Sequence, residues 1–189
     1  GTSIAAAADD GVHMHPICGA IHTDIGDHTG ECPGIEWTAW DGISDIDYGE
    51  NNCAYVYLTG DVERSSNLAV YSGKTLYLCL NGNSIVRNTD LVDGFDAIIR
   101  VYDKAQLVLC DCKNTGTITH SEGVLGRGVR VGPGSGAVFT MFGGSISGNH
   151  LGSSEQGYDG AGVEIQNGTL TMYGGKITDN HVEAASNYG

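Results

Sequence analysis

The chain has 189 residues, including 30 glycines and 3 prolines, and its 23 acidic and 9 basic side chains give a net charge of -14 at pH 7. Phosphate backbones and anionic membrane surfaces would repel this charge, and no stretch approaches the roughly 20 apolar residues of a membrane span, so neither a nucleic-acid partner nor membrane insertion is expected. Abundant glycine with little proline, in a chain that is 40% hydrophobic, favours a β protein with many tight turns over collagen or disorder.

The first residues indicate a tail outside the folded region. Gly1 and Thr2 look like a cloning remnant, and the alanines at residues 5–8 resemble the small-residue end of a secretory signal. A frayed, alanine-rich tail is the plainer interpretation. We expect residues 1–12 to form this tail, and a secretory signal would place the protein outside the cell.

Residues 13–36 concentrate histidine and cysteine, with four of the seven histidines inside 16 residues. Imidazole and thiolate are the ligands that zinc prefers, usually four in a tetrahedron. The candidate ligands are His13, His15, Cys18, His22, His28 and Cys32. Their spacing is not that of a zinc finger, so a Cys18–Cys32 disulfide with exposed histidines is the alternative. Either form predicts a small cap on the structure that follows.

The rest of the chain repeats itself. Residues 170–180 read LTMYGGKITDN and echo residues 139–149, which read FTMFGGSISGN. Weaker copies begin at Leu76 and Leu107, so successive copies start 31, 32 and 31 residues apart. Each copy follows a short alternating segment and precedes a third one, the period-two pattern of half-buried strands. The third segments are centred on Ile85, Ile118, Ile146 and Ile177.

Three short strands per copy and no helical pattern predict an all-β fold, a right-handed parallel β-helix of about four 31-residue rungs over residues 37–189. Glycine and asparagine would form its corners, with Asn88, Asn149 and Asn180 stacked at one of them. A β-sandwich with a coincidental repeat is the alternative. Because the last repeat shows no polar cap, we expect a chain cut from a longer protein, or an open end that packs on further repeats or another chain.

The third corner is the longest and differs most between copies. In solenoids such insertions project from one edge, often the binding edge. The candidate binding residues there are Asp90, Asp93, Phe95, Asp96, Glu122, Leu125, Arg127, Glu155, Tyr158 and Asp159. We expect the third corner to contact a partner.

Catalysis is not expected, because hydrolysis of a polysaccharide needs paired carboxylates on one face. The predicted outward strand positions bring none together, and Arg100, Arg130 and Glu164 are predicted to form a solvated column of charge. A lyase or glycoside hydrolase fragment, or a structural spacer in a stalk, is the alternative. Two acidic runs, at residues 41–50 and 90–96, could bind calcium through oxygen ligands, or are simply solvated loops.

Several motifs together carry a resemblance. They are W-x-x-W at residues 37–40, YLTGDV at 57–62, SGKTLYLCLNG at 72–82, DC at 111–112, and GG-x-I-x-x-N at 143–149 and 174–180. The chain resembles the β-helix regions of large surface proteins of gut-dwelling Gram-positive bacteria. The resemblance implies a secreted or wall-attached protein and, by analogy, a host glycan or host protein partner, including an immunoglobulin.

The resemblance also bears on the cysteines. It implies a Cys79–Cys112 disulfide, which leaves Cys53 and Cys110 to pair with each other. Cys79 and Cys110 occupy equivalent positions of neighbouring rungs, so a Cys79–Cys110 bond is the rival. The sequence alone does not choose among the possible connectivities.

Overall fold

The computed structural model describes residues 12–19, 34–152 and 160–183, and within these ranges the chain forms strands joined by turns. No helix there is long and apolar enough to cross a membrane. The strands, in chain order, are β1 (His13–His15), β2 (Ile35–Trp40), β3 (Cys53–Leu58), β4 (Val62–Arg64), β5 (Leu68–Val70), β6 (Thr75–Cys79), β7 (Ser84–Arg87), β8 (Ile99–Val101), β9 (Gln106–Cys110), β10 (Thr117–His120), β11 (Val129–Val131), β12 (Val138–Met141), β13 (Ser145–Ser147), β14 (His150–Leu151), β15 (Val163–Ile165), β16 (Thr169–Met172), β17 (Lys176–Thr178) and β18 (His181–Val182).

Three long sheets run along the molecule. The first has strand order β1-β2-β3-β6-β9-β12-β16, the second β17-β13-β10-β7-β4 and the third β15-β11-β8-β5, while β14 and β18 form a small fourth sheet. From β2 onward the strands pair in parallel with strands one turn away, for example β8 with β11, β9 with β12 and β10 with β13. The chain therefore winds through the third, first and second sheets in turn. This winding confirms the predicted all-β parallel solenoid.

The internal repeat sets the strand register. Leu76 pairs with Leu107, Leu107 with Phe139 and Phe139 with Leu170, which are the steps found in the sequence. These columns point inward and form one apolar core, in which Leu76, Leu107 and Phe139 are fully buried. Each such leucine contributes about 1.5–3 kcal/mol by leaving water. Four strands of the third sheet are separated by three full turns, close to the four rungs predicted.

The asparagine stack at the third corner forms only in part. Asn149 Nδ2 donates to Asn180 Oδ1 at 2.9 Å, as predicted. Asn88 does not join this stack, because it is exposed at the surface. One turn below Asn149, His120 takes the inward position, and its Nδ1 lies 2.7 Å from Asn149 Oδ1. An imidazole thus extends the column that the sequence assigned to amides.

The amino-terminal segment, residues 12–19, lies on the outside of the first sheet. β1 adds to the sheet antiparallel to β2, with His13 opposite Trp37 and His15 opposite Ile35. Beneath this segment a second apolar cluster is buried outside the main core; it contains Cys18, Trp37, Cys79, Val108, Cys110 and Phe142. The outward face of the first sheet is therefore covered where the segment crosses it.

Candidate metal centres and binding surface

Four metal-ligating side chains meet beside the first sheet. His13 and His15 alternate along β1, so both rings point to the same face, toward the sheet. Cys79 ends β6, and Cys112 follows β9 one turn further along. The ligand atoms of these four residues, here called the His/Cys cluster, all lie within 4.8 Å of one another. The cluster could hold a metal ion.

The distances inside the His/Cys cluster suit tetrahedral coordination. Cys112 Sγ lies 3.6 Å from Cys79 Sγ and 3.7 Å from His13 Nε2. An ideal zinc tetrahedron, with sulfur at about 2.3 Å and nitrogen at about 2.0 Å, separates two sulfurs by about 3.8 Å and sulfur from nitrogen by about 3.5 Å. A metal ion would thus enter with little movement of these side chains.

One ring nitrogen of His15 is buried and makes no hydrogen bond to the described residues. Its Nδ1 lies 2.7 Å from the carbonyl oxygen of Pro16. A carbonyl only accepts, so Nδ1 holds the proton and Nε2 keeps a lone pair. Nε2 is buried and has no hydrogen-bond partner within the described ranges. Buried polar atoms are normally satisfied, and a metal ion would satisfy this one.

Aromatic rings fix both imidazoles. His13 stacks on Tyr57 with ring centroids 4.0 Å apart, and His15 stacks on Trp37 at 4.5 Å. Trp37 Nε1 also donates to the carbonyl of His15 at 3.0 Å. Supporting contacts of this kind orient metal ligands before the metal binds.

The thiols of the cluster are protonated at neutral pH when no metal is bound. A hydrogen bond with Cys110, together with burial, raises the pKa of Cys79 to about 12. The hydrogen bond with Cys79 and burial raise the pKa of Cys112. A bound metal must therefore displace protons from both sulfurs, as metal binding to cysteine generally does.

The structure combines parts of two separate sequence predictions. His13 and His15 were predicted metal ligands and belong to the cluster, whereas Cys18 is buried in the neighbouring apolar cluster. His22, His28 and Cys32 lie outside the described residues, and so does any Cys18–Cys32 bond. Cys79 and Cys112 were missed as ligands because the resemblance assigned them to a disulfide.

The disulfides predicted among Cys53, Cys79, Cys110 and Cys112 are not formed in this structure. The Cys79 and Cys112 sulfurs are adjacent, but 3.6 Å exceeds the length of about 2.05 Å of a disulfide. Cys79 and Cys110 lie opposite each other on neighbouring strands, but they form no disulfide. Cys53 lies two strands and four residues from Cys110, about 16 Å away by strand geometry, so the predicted Cys53–Cys110 bond does not fit the register.

Several predicted binding residues instead hold the third corner together. Asp96 and Arg127 are buried, and they pair with Arg87 at 2.6 Å and with Glu164 at 2.7 Å. The carboxylate of Asp90 accepts from the Leu125 N–H at 2.9 Å, and that of Asp93 from the Phe95 N–H at 2.8 Å. The surface that these residues leave for a partner is correspondingly smaller.

The acidic runs predicted to bind calcium also have carboxylates that accept hydrogen bonds from their own loops. Asp41 accepts from the N–H groups of Ile43 and Ser44 at 2.8 Å each, and these bonds, that of Ser44 first, lower the pKa of Asp41. Asp47 accepts from the Gly49 N–H at 2.9 Å. In the part of the chain that the structure describes, neither run brings three carboxylates together as a metal site.

The predicted column of solvated charge is wrong in part. Arg130 and Glu164 are only 2% and 6% exposed, while Arg100 is half-buried. The loop before β8 folds over the third sheet, and its Gly94 carbonyl accepts from Arg130 Nη1 at 3.1 Å. Glu164 neutralises Arg130 beneath this loop. A strand pattern gives no sign of a loop that returns over the outer face.

An aromatic surface remains exposed beside this buried pair. The Arg100 guanidinium lies 5.6 Å from the ring centroid of Phe95 and 4.2 Å from that of Tyr102, and Tyr102 stacks on Tyr71 at 5.2 Å. Phe95 is 46% exposed and Tyr71 is 63% exposed. We call Phe95, Arg100, Tyr102 and Tyr71 the aromatic strip. Only Phe95 of this strip was predicted as a binding residue.

Two other predicted residues, Glu122 and Leu125, line a cavity of about 700 Å³ at the third corner. His150 and Glu183 line the same cavity, and with His181 they form a second group of potential metal ligands. Glu155, Tyr158 and Asp159 lie outside the described residues. This second group was not predicted, because His150 and His181 are 31 residues apart in the sequence and meet only through the strand register.

No family model, curated protein or solved structure matches the chain.

Proposed function

We propose that this chain is a non-catalytic β-helix module, secreted or attached to the cell wall of a Gram-positive bacterium, that binds a protein partner. The observation that carries the proposal is the aromatic strip, in which the Arg100 guanidinium lies between the exposed Phe95 ring and the half-buried Tyr102 ring, and the exposed Tyr71 stacks on Tyr102. Tyrosine and arginine are enriched among the residues that contribute most to protein–protein binding. Phenylalanine is also enriched at interfaces, where charged aspartate and glutamate are depleted.

The scaffold supports the strip rigidly. Arg100 lies on β8, Tyr102 follows that strand, and Tyr71 follows β5 one turn away. Tyr71 also borders a cavity of about 650 Å³ together with Ile43, which is 57% exposed. A preformed surface loses little conformational entropy on binding, and a neighbouring cavity offers a place for an apolar side chain of the partner.

The binding surface is tested by alanine substitution. We expect Tyr71→Ala and Phe95→Ala each to weaken capture of the partner about thirtyfold, the effect of losing a 2 kcal/mol contact. Met172→Ala is the matched control, because Met172 is 44% exposed on another sheet. Purified immunoglobulin is the first protein to try by biolayer interferometry, with mucin glycans as a separate arm.

The outcomes separate the alternatives. Binding to glycans alone, lost in both aromatic variants, would replace the protein partner by a carbohydrate one. A loss of binding in Met172→Ala equal to that in Tyr71→Ala would remove the strip from the proposal. Turnover of a uronate polysaccharide would contradict a non-catalytic module.

We further propose that the metal of the His/Cys cluster is zinc. Two thiolates and two imidazoles in a closed tetrahedron form a common structural zinc site. The ion would bind β1 to two successive turns of the solenoid, through Cys79 and Cys112. The distances between ligand atoms and the unpaired Nε2 of His15 support this role.

Cobalt substitution tests the zinc centre in reduced protein. We expect a thiolate-to-cobalt absorption band that is lost in Cys79→Ser/Cys112→Ser and kept in Cys53→Ser, a cysteine outside the cluster. Removing zinc from the wild type should lower its Tm by roughly 10 °C, because an ion present at about a thousand times its Kd stabilises the folded state by about 4 kcal/mol. An unchanged cobalt spectrum in the double variant, or an unchanged Tm, would refute the centre.

A further inference from the structure

A second set of metal ligands lies at the third corner, on the small fourth sheet. β14 and β18 pair in parallel, with His150 directly opposite His181. Glu183 follows His181 by two residues, and side chains two apart on extended backbone project to the same side. Strand geometry therefore places the three side chains together, and their ligand atoms all lie within 4.8 Å of one another.

The backbone around these residues is well fixed. The N–H of His181 donates to the Asn149 carbonyl and the N–H of Glu183 donates to the Leu151 carbonyl, both at 2.9 Å. The Asn149–Asn180 side-chain hydrogen bond holds the residues immediately before both histidines. The extended pairing of the two chains thus continues through Glu183.

The side chains already face one another. The rings of His150 and His181 stack with centroids 4.2 Å apart, and His150 Nε2 lies 3.5 Å from Glu183 Oε1. All three are at least partly exposed, so an ion can reach them from solvent. His150 and Glu183 also line the 700 Å³ cavity, as do Glu122 and Leu125.

We propose that His150, His181 and Glu183 bind a divalent transition metal of the zinc type. Two imidazoles and one carboxylate match the ligand set of zinc sites that keep a fourth position open, whereas magnesium and calcium prefer oxygen ligands alone. The fourth position is open to solvent and takes water or an oxygen donor of an added ligand. The site differs from the His/Cys cluster, which is closed by four protein ligands.

This site goes beyond the proposed binding function and does not depend on it. Neither the aromatic strip nor the His/Cys cluster contributes a ligand. A failure of the second site would leave the proposed surface and the proposed zinc centre as they stand.

Zinc titration in the Cys79→Ser/Cys112→Ser background isolates the second site. Isothermal calorimetry should show a zinc-binding event that is lost in His181→Ala and weakened at least tenfold in Glu183→Gln. Glu122→Gln is the matched control, since it makes the same chemical change in the same cavity at a residue outside the ligand group. It should bind zinc as the parent does.

A second measurement covers the case in which the cysteine variant does not fold. Atomic emission on zinc-loaded, dialysed protein should find one zinc fewer per chain in His181→Ala than in the wild type. Equal zinc binding in His181→Ala and its parent, by either method, overturns the proposal. An equal loss of affinity in Glu183→Gln and Glu122→Gln also overturns it, because the effect would then be general charge and not coordination.

Discussion

Asp96 and Arg87 form a buried, two-point ion pair at the base of the third corner. Arg87 Nη1 and Nη2 donate to the two carboxylate oxygens at 2.9 and 2.6 Å, and the side chains are only 2% and 3% exposed. The same carboxylate accepts from the Val92 N–H at 3.0 Å. Removing one partner of such a pair leaves an uncompensated buried charge, which typically costs about 3–5 kcal/mol.

This ion pair predicts a pH-dependent stability. Burial alone would raise the pKa of Asp96, but the hydrogen bonds from Arg87 and Val92 outweigh it and lower that pKa below its ordinary value. A lowered folded-state pKa stabilises the fold above the unfolded value of about 3.9 and loses this contribution as the pH falls through the folded value. Asp96→Asn should therefore lower the free energy of unfolding by about 3 kcal/mol at pH 7.

Urea unfolding of wild type and variant from pH 7 to pH 2.5 is the measurement. The difference in the free energy of unfolding between wild type and Asp96→Asn should shrink below about pH 4, because protonated Asp96 also leaves Arg87 unpaired. Glu63→Gln, which changes an exposed carboxyl on β4, should behave as the wild type throughout. A difference for Asp96→Asn that stays constant down to pH 2.5 would contradict the ionic role of Asp96.

Among single residues, charged side chains are those whose surroundings the sequence predicts least well. Asp96 and Arg127 were predicted to bind a partner, because charged residues in a variable corner are normally exposed. Their partners Arg87 and Glu164 become neighbours only when the coil has wound, so no local pattern announces these pairs. Phe95 was located correctly in the corner, but Tyr71 and Tyr102 were not singled out, because isolated tyrosines after strands have no distinctive pattern.

At the level of elements, the repeat carried most of the information. Its period fixed which strands pair and which side chains face the core, and Leu107 opposite Phe139 is an example that the register confirms. Corners depend on the neighbouring turn as well as on their own residues. At Gly132, with φ +102°, an added Cβ would lie 1.9 Å from the carbonyl oxygen of Gln166 in the next turn, so only glycine fits. This contact cannot be read from the repeat itself.

The metal sites also combine ligands that are close in sequence with ligands that only folding brings together. Histidines two apart on a strand were recognised as ligands because they are close in sequence. Cys79 and Cys112 reach His13 only because β1 lies across the outer face of the first sheet, and nothing in the local pattern of residues 13–36 specifies that docking. His150 and His181 meet through the 31-residue register, and the sequence repeat is sufficient to predict this pairing.

The last turn of the described solenoid differs from the turns before it. At the last turn, β15, β16 and β17 each stand at the edge of their sheet among the described strands. Ile165 and Met172 continue core columns, opposite Val131 and Met141, yet they are 43% and 44% exposed where their neighbours are fully buried. Exposed strand edges next to exposed core residues favour pairing with another chain.

We therefore expect reversible self-association through this turn. Two copies related by a two-fold axis would bring the same edge of each together and cover both core columns. Sedimentation velocity should show the mean mass rise with concentration for the wild type, and Ile165→Lys/Met172→Lys should remain monomeric because lysines cannot be buried unpaired at that contact. Val92→Lys is the control, because Val92 is 81% exposed and lies outside this turn. This variant should associate as the wild type does. A wild type that stays monomeric at every concentration, or equal suppression by Val92→Lys, would show that this turn does not mediate association.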